Sequence, residues 1–187
     1  QVQRNQRAVM PLLAKNLILF KAGWLACVLG AANGMPWLGP LADLGIAAEH
    51  LRSAKAPIEE LKLLVLAAAI GTVWESALVA TNLLDYGTGS SLAPYWIIAM
   101  WVLFATTLNI GMNWLKRHWI IAMIAGGVGG PLAFFSGSKA GAVTFVEGTN
   151  SLIAIGIGWA LLLPVLVIAS KRLNGHSDSV PLSLQRA

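Results

Sequence analysis

The chemistry open to this chain rests on a few ionisable and amide side chains set among apolar neighbours. Glu75 is the most informative of them. It lies in residues 61–84, a mostly apolar stretch long enough to cross a bilayer. A carboxylate at the centre of a membrane helix costs roughly 2.5–3.5 kcal/mol on insertion scales, so such residues face a bundle interior and often mark function. Other polar residues recur around it at helical spacing. Thr72, Glu75, Val79 and Asn82 follow a three-four-three pattern, which puts three polar side chains on one face. Thr106, Asn109 and Asn113 repeat that pattern further on, and Asp43 and His50 are seven apart in an earlier segment. The functional reading is a hydrated cavity or proton-active binding pocket built from Asp43, His50, Glu75, Asn82, Asn109 and Asn113. The competing reading is interhelical hydrogen bonding that holds the bundle together, at about 0.6 kcal/mol per bond. The asparagines suit the second reading. Glu75 suits the first, because a carboxylate costs more to hold in a membrane than an amide does.

Other candidate chemistries are weaker. His50 lies beside a basic loop, where a histidine at the water interface needs no special role. His50, Asp43, Glu49 and Glu75 are metal-ligand types, but no metal-binding spacing such as HExxH is present, so no metal is expected. The glycine-rich Gly126-Gly127-Val128-Gly129-Gly130-Pro131 lacks the Lys-Ser/Thr ending of a phosphate loop and sits in an apolar stretch. It reads instead as a close-packed helix, with Gly126 and Gly130 four apart and facing a neighbour. The one cysteine, Cys27, lies in an apolar run; it can form no intrachain disulfide and reads as core packing. No cleavable signal peptide is recognised. No nucleophile with its base can be named and no cofactor is expected, so the sequence leaves open whether the chain is an enzyme.

The elements that position these residues are apolar segments about 20 residues long, which is the length a bilayer crossing needs. The spans read as 17–33, 36–51, 61–84, 94–115, 119–135 and 149–170. The second is the difficult one, since it carries Asp43, Glu49 and His50 and is only moderately apolar. Charge decides it. Arg4, Arg7 and Lys15 precede the first span, and Arg52, Lys55 and Lys62 follow the second. Both clusters fall on one side only if residues 36–51 return across the membrane, as the excess of Lys and Arg in cytoplasmic loops requires. Lys116-Arg117-His118 and Lys171-Arg172 then fall on that side too, and Lys139 is the exception. The loop 85–92 has no Lys or Arg and is expected outside.

Composition agrees. Hydrophobic residues make up 57% and charged residues 11% of 187, and the mean hydropathy is +0.70; soluble domains carry about 25% charged residues. The net charge of +5 would invite nucleic acid in a soluble protein. Here the basic residues cluster between apolar runs and serve topology, so no nucleic-acid partner is expected. Four of the eight tryptophans, Trp37, Trp96, Trp114 and Trp119, fall near expected interfaces; Trp24, Trp74, Trp101 and Trp159 lie deeper and suit packing or an aromatic-lined pocket. The expected architecture is all-α, a polytopic bundle of about six transmembrane helices with both termini cytoplasmic. Residues 1–173 form one domain, and residues 174–187 form a polar tail expected to be disordered.

Several tracts carry a resemblance: Gly23-Trp24-Leu25-Ala26-Cys27-Val28-Leu29-Gly30, PYWIIAMWVLFATTL over 94–108, GGVGGPL over 126–132 with Gly-Ser-Lys-Ala-Gly-Ala after it, and WALLLPVL over 159–166. In this order and spacing they resemble an uncharacterised family of small bacterial inner-membrane proteins, a domain of unknown function. That family carries an Asp-Ser pair in its third helix, where this chain has Glu75-Ser76. Its members are often encoded near cyclopropane-fatty-acid-synthase-like methyltransferases. The resemblance implies a multi-pass protein of the bacterial inner membrane, accessory or lipid-binding in membrane fatty-acyl modification. Membrane lipids, and other membrane or lipid-modifying proteins, are the implied partners. The alternatives from the residues themselves are a small proton- or cation-coupled transporter and a structural subunit of a larger membrane complex.

Overall fold

The computed structural model describes residues 2–176, with side chains from Pro11 onward. The described chain is a bundle of six α-helices: α1 (Val2–Ala32), α2 (Leu38–Ser53), α3 (Pro57–Ala80), α4 (Tyr95–Leu108), α5 (Trp119–Lys139) and α6 (Thr149–Arg172). Two short strands, β1 (Leu84–Asp85) and β2 (Thr144–Phe145), pair antiparallel in the connections after α3 and α5. Residues 11–32 of α1 and the whole of α3, α5 and α6 are long and apolar enough to cross a membrane. By length and composition this is a multi-pass membrane protein. At 1.5 Å per residue, α2 and α4 are only about 24 and 21 Å long, against a hydrocarbon core of about 30 Å.

The segment 36–51, which hydropathy left doubtful, forms a helix antiparallel to α1. Lys15 donates to Glu49 at 2.5 Å, and Arg52 donates to the same carboxylate, so the start of α1 and the end of α2 meet at one end of the bundle. The connection α2–α3, the turn after α4 and the end of α6 come to that same end. Lys55, Lys62, Lys116, Arg117, Lys171 and Arg172 therefore collect there, and we call it the basic end.

Local sequence explains where the helices stop. Gly34 (φ 72°) follows α1, with Met35 N–H donating to Gly30 C=O and Gly34 N–H to Ala31 C=O. That is a Schellman ending, which needs a residue in the left-handed region at its turn. Asn82 (φ 60°) makes the same ending for α3, through Leu83 N–H to Leu78 C=O and Asn82 N–H to Val79 C=O. Pro57 begins α3, where its missing N–H costs nothing, and Glu59 and Glu60 follow in the first turn, where the helix dipole favours carboxylates. The helix expected over 94–115 ends at Leu108, and the chain reaches α5 through a 3-10 turn at Asn113–Arg117.

Helix α4 is central and packs on α1, α2 and α3. Helices α5 and α6 form a hairpin that packs mainly on itself. Small residues make that hairpin close: a Cβ on Gly126 would strike the Trp159 carbonyl and one on Gly130 would strike the Trp159 ring. At the end opposite the basic one the hairpin is tied on by β1–β2 and by Ser151 Oγ donating to Leu83 C=O at 2.6 Å. At the basic end the residues after α6 turn back onto α3. In between, Trp159 stacks on Trp101 of α4 with ring centres 4.8 Å apart, but among the described residues α1 and α5 make little contact with each other.

Candidate functional site

The buried stripe of α3 runs Glu60, Leu64, Ala67, Gly71, Glu75 and Leu78, a three-or-four spacing that keeps all of them on the face turned inward. Two glutamates sit on it, and each has 0% exposure. Burial of a carboxylate is tolerable only with hydrogen-bond donors at hand, and the two are supplied differently.

At Glu75 both donors are neutral. Tyr86 Oη donates to one carboxylate oxygen at 2.8 Å and Trp101 Nε1 to the other at 2.9 Å. Trp101 comes from α4 and reaches Glu75 because Gly71, one turn earlier on α3, leaves room for its indole; any Cβ there would strike the ring. Tyr86 comes from the connection after β1 and is held edge-on against Trp96, ring centres 5.4 Å apart. Burial first, and the Glu75 carboxylate second, push the Tyr86 hydroxyl well above its usual pKa, which keeps it a donor. Glu75, Tyr86 and Trp101 stand on the wall of a cavity of about 470 Å³ between α1 and α4 on one side and α5 and α6 on the other. Ligand cavities run from about 300 to 1,000 Å³. The rest of the wall is mostly aromatic, aliphatic and glycine, including Trp24, Phe104, Gly129 and Trp159, with Thr107 a further hydroxyl residue on it. Trp159 Nε1 is buried and has no hydrogen-bond acceptor among the described residues.

Near the basic end, Glu60 sits in a network of polar groups. Glu60 Oε2 lies 2.8 Å from His50 Nε2. Glu60 Oε1 accepts from Asn109 Nδ2 and from Gly175 N–H, both at 2.7 Å. Asn109 uses its remaining groups as well, donating to Leu173 C=O at 2.8 Å and accepting from Lys116 Nζ at 2.5 Å. Burial is the main cause that pushes the Lys116 ammonium down to a pKa of about 8; Glu60 opposes that shift and Lys171 adds to it. His176 is also here, 1% exposed, its ring centre 4.7 Å from that of His50.

The six pocket residues expected from the sequence thus separate. His50 and Asn109 meet, but around Glu60. Glu75 faces inward as expected, with Tyr86 and Trp101 for partners in place of the asparagines. Asp43 lies elsewhere and accepts from Cys27 Sγ at 3.1 Å. Asn82 is exposed and serves as the left-handed turn residue that ends α3. Asn113 begins the 3-10 turn beyond α4 instead of continuing a stripe on it. Thr72 is also exposed and bonds its own helix at Ala68 C=O. Sequence reasoning missed Glu60, although it shares the apolar stripe with Glu75, and missed His176, for which no local signal exists. Of the tail assigned to residues 174–187, the described part, Asn174 to His176, is folded back onto the bundle, and residues 177–187 lie outside the described residues.

A six-helix membrane bundle with a buried carboxylate on an apolar cavity defines the class. Residues 13–165 match the family model described as "Protein of unknown function (DUF2878)", and the chain belongs to that family. Neither the curated proteins nor the solved structures contain a match.

Proposed function

We propose that the protein binds an apolar membrane lipid in the cavity beside Glu75, as an accessory to modification of membrane acyl chains in the bacterial inner membrane. The proposal includes a six-pass topology with both termini cytoplasmic, for which the gathering of Lys and Arg at one end is the support. The observation that carries the reading is the cavity itself: about 470 Å³, walled mostly by aromatic and aliphatic side chains, with one carboxylate on it. Helices α1 and α5 both line the cavity but make little contact with each other, which supports entry of a bilayer lipid between them. Glu75 and the Trp159 N–H supply the few polar groups that orient a mostly apolar ligand. The sequence resemblance adds the link to fatty-acyl modification.

Gly129 offers the test, because it lines the cavity and an added Cβ there meets nothing within 4 Å. The parent, purified in mild detergent, should retain a defined lipid species identified by mass spectrometry of the extract. Gly129→Phe should lose that species while melting like the parent. Identical retained lipids in both proteins would remove this reading.

A second reading draws on the neutral partners of Glu75. A buried carboxylate with no cation bonded to it among the described residues suits proton or cation coupling. Uptake into proteoliposomes that depends on Glu75 would favour transport over lipid binding.

A further inference from the structure

We propose that His50, Glu60 and His176 form a binding site for a divalent transition metal, with Zn²⁺ the fitting ion. Their ligand atoms all lie within 4.8 Å of one another, and all three residues are buried. Two imidazoles and one carboxylate are a donor set that zinc takes in proteins, with a fourth position left for water or a substrate. Imidazole nitrogen favours zinc, copper, iron or nickel over magnesium or calcium. The sequence expectation of no metal rested on the missing spacing motif. These donors come instead from the end of α2, the start of α3 and the segment after α6, so no local spacing could reveal them.

The third ligand is delivered by a fitted dock. After α6 the chain turns, and Gly175 C=O accepts from Lys55 N–H at 2.9 Å and Ala56 N–H at 3.3 Å, while Gly175 N–H donates to Glu60. A Cβ at this position would strike the Ala56 carbonyl and crowd the Glu60 side chain, so the seat accepts glycine alone. Asn109 adds a bond to Leu173 C=O, and Asn174 Oδ1 accepts from His176 N–H at 3.1 Å. The dock sets the second imidazole against the first.

The supporting shell has the form that metal sites need. Glu60 Oε1 is held by Asn109 and Gly175, which leaves Oε2 facing His50 as the metal-binding oxygen. Tetrahedral zinc with bonds of about 2.0–2.1 Å sets its ligand atoms roughly 3.4 Å apart. His50 Nε2 and Glu60 Oε2, now 2.8 Å apart, would separate slightly, and the wider spacings would close by side-chain rotation. A metal here would join the last described residues to the α2–α3 corner. It would therefore fasten the α5–α6 hairpin to the rest of the bundle at the basic end.

Co²⁺ and Zn²⁺ titrations of the full chain in detergent, stripped beforehand with a chelator, test the site. The parent should take up one Co²⁺ per chain with the strong visible absorption of tetrahedral cobalt, and Zn²⁺ should displace it. Loss of an outer-shell partner alone weakens metal affinity about 10–100-fold, so His176→Ala, which removes a ligand, should weaken it by at least that. His118→Ala, a histidine of the same basic end that is outside the cluster, should bind like the parent. His176 lies beyond the last helix, so its variant should keep the six helices; if His176→Ala does not fold, His176→Gln serves in its place. Absence of cobalt absorption in the parent, or equal binding by the His176 and His118 variants, overturns the proposal.

Discussion

Glu60 and Glu75 lie on one face of α3, about 22 Å apart along its axis, and the helix carries them in opposite ways. Glu60, in the first turn, is matched by ionisable and amide partners from three other segments: His50, Asn109 and Gly175, with Lys116 behind Asn109. Glu75, deep in the membrane helix, is matched by two neutral donors and borders an apolar cavity. The first arrangement spends its carboxylate on joining parts of the fold, and every bond it makes crosses between elements. The second leaves a carboxylate at the edge of open space. Burial alone is therefore a poor guide to function in this protein; the identity of the partners separates the two sites.

The largest effect should come from breaking the Glu60 network. Glu60→Ala leaves the Asn109 amide, the Gly175 N–H and His50 without their shared acceptor. Removal of one member of a buried charged network typically costs roughly 3–5 kcal/mol. Thermal unfolding in detergent should show the variant well below the parent, with residues 173–176 becoming open to protease. The cavity wall offers a second test. Gly130→Leu drives a side chain into the Trp159 ring, and overpacking of this kind costs roughly 1–3 kcal/mol. Gly129→Leu points into open space and should melt with the parent, so equal melting of the two variants would deny the α5–α6 packing described above.

Glu75 should separate shape from charge. Glu75→Leu strands the Trp101 N–H and the Tyr86 hydroxyl, at about 1–3 kcal/mol for each unsatisfied group. Glu75→Gln can accept from Trp101 and donate to Tyr86, since a hydroxyl can reverse its role. This variant should therefore fold like the parent and lose the phenotype of the intact gene. Full complementation by Glu75→Gln would place Glu75 beside Glu60 as a strut and erase the contrast between them.

The smallest expected effect is a pH dependence at Lys116. Its folded pKa of about 8 lies below the unfolded value of 10.5, so between these values the unfolded chain holds more protons. Stability then rises with pH across that window. The parent should gain melting temperature relative to Lys116→Met from about pH 8 to 10.5, and should run parallel to it below pH 8. A constant difference across the window would mean that Lys116 is as well solvated folded as unfolded.

How far the sequence could be read depended on the range of the interactions involved. The membrane class, the helices and the return of α2 to the basic end follow from composition, apolar length and the placement of Lys and Arg, which are local or summed quantities. The inward face of Glu75 follows from helical spacing, and the contact of Gly126 and Gly130 with a neighbour follows from small residues four apart. Partners do not follow in this way. Trp101 reaches Glu75 because Gly71 leaves a gap for it, and Tyr86 arrives from an irregular connection. Asn82 and Asn113 extended their stripes only on the assumption that the helices continued; α3 and α4 end before them, and the polar stripes dissolve into a turn and a 3-10 segment. His176 lies in a polar tail that composition marks as unstructured, yet Gly175 seats it against Glu60 through bonds that span most of the chain. Patterns along the sequence determine which face of a helix is buried. Which side chains meet across that face is decided by tertiary packing, because hydrogen-bond geometry tolerates errors of tenths of an ångström while sequence spacing resolves only about a quarter of a helical turn.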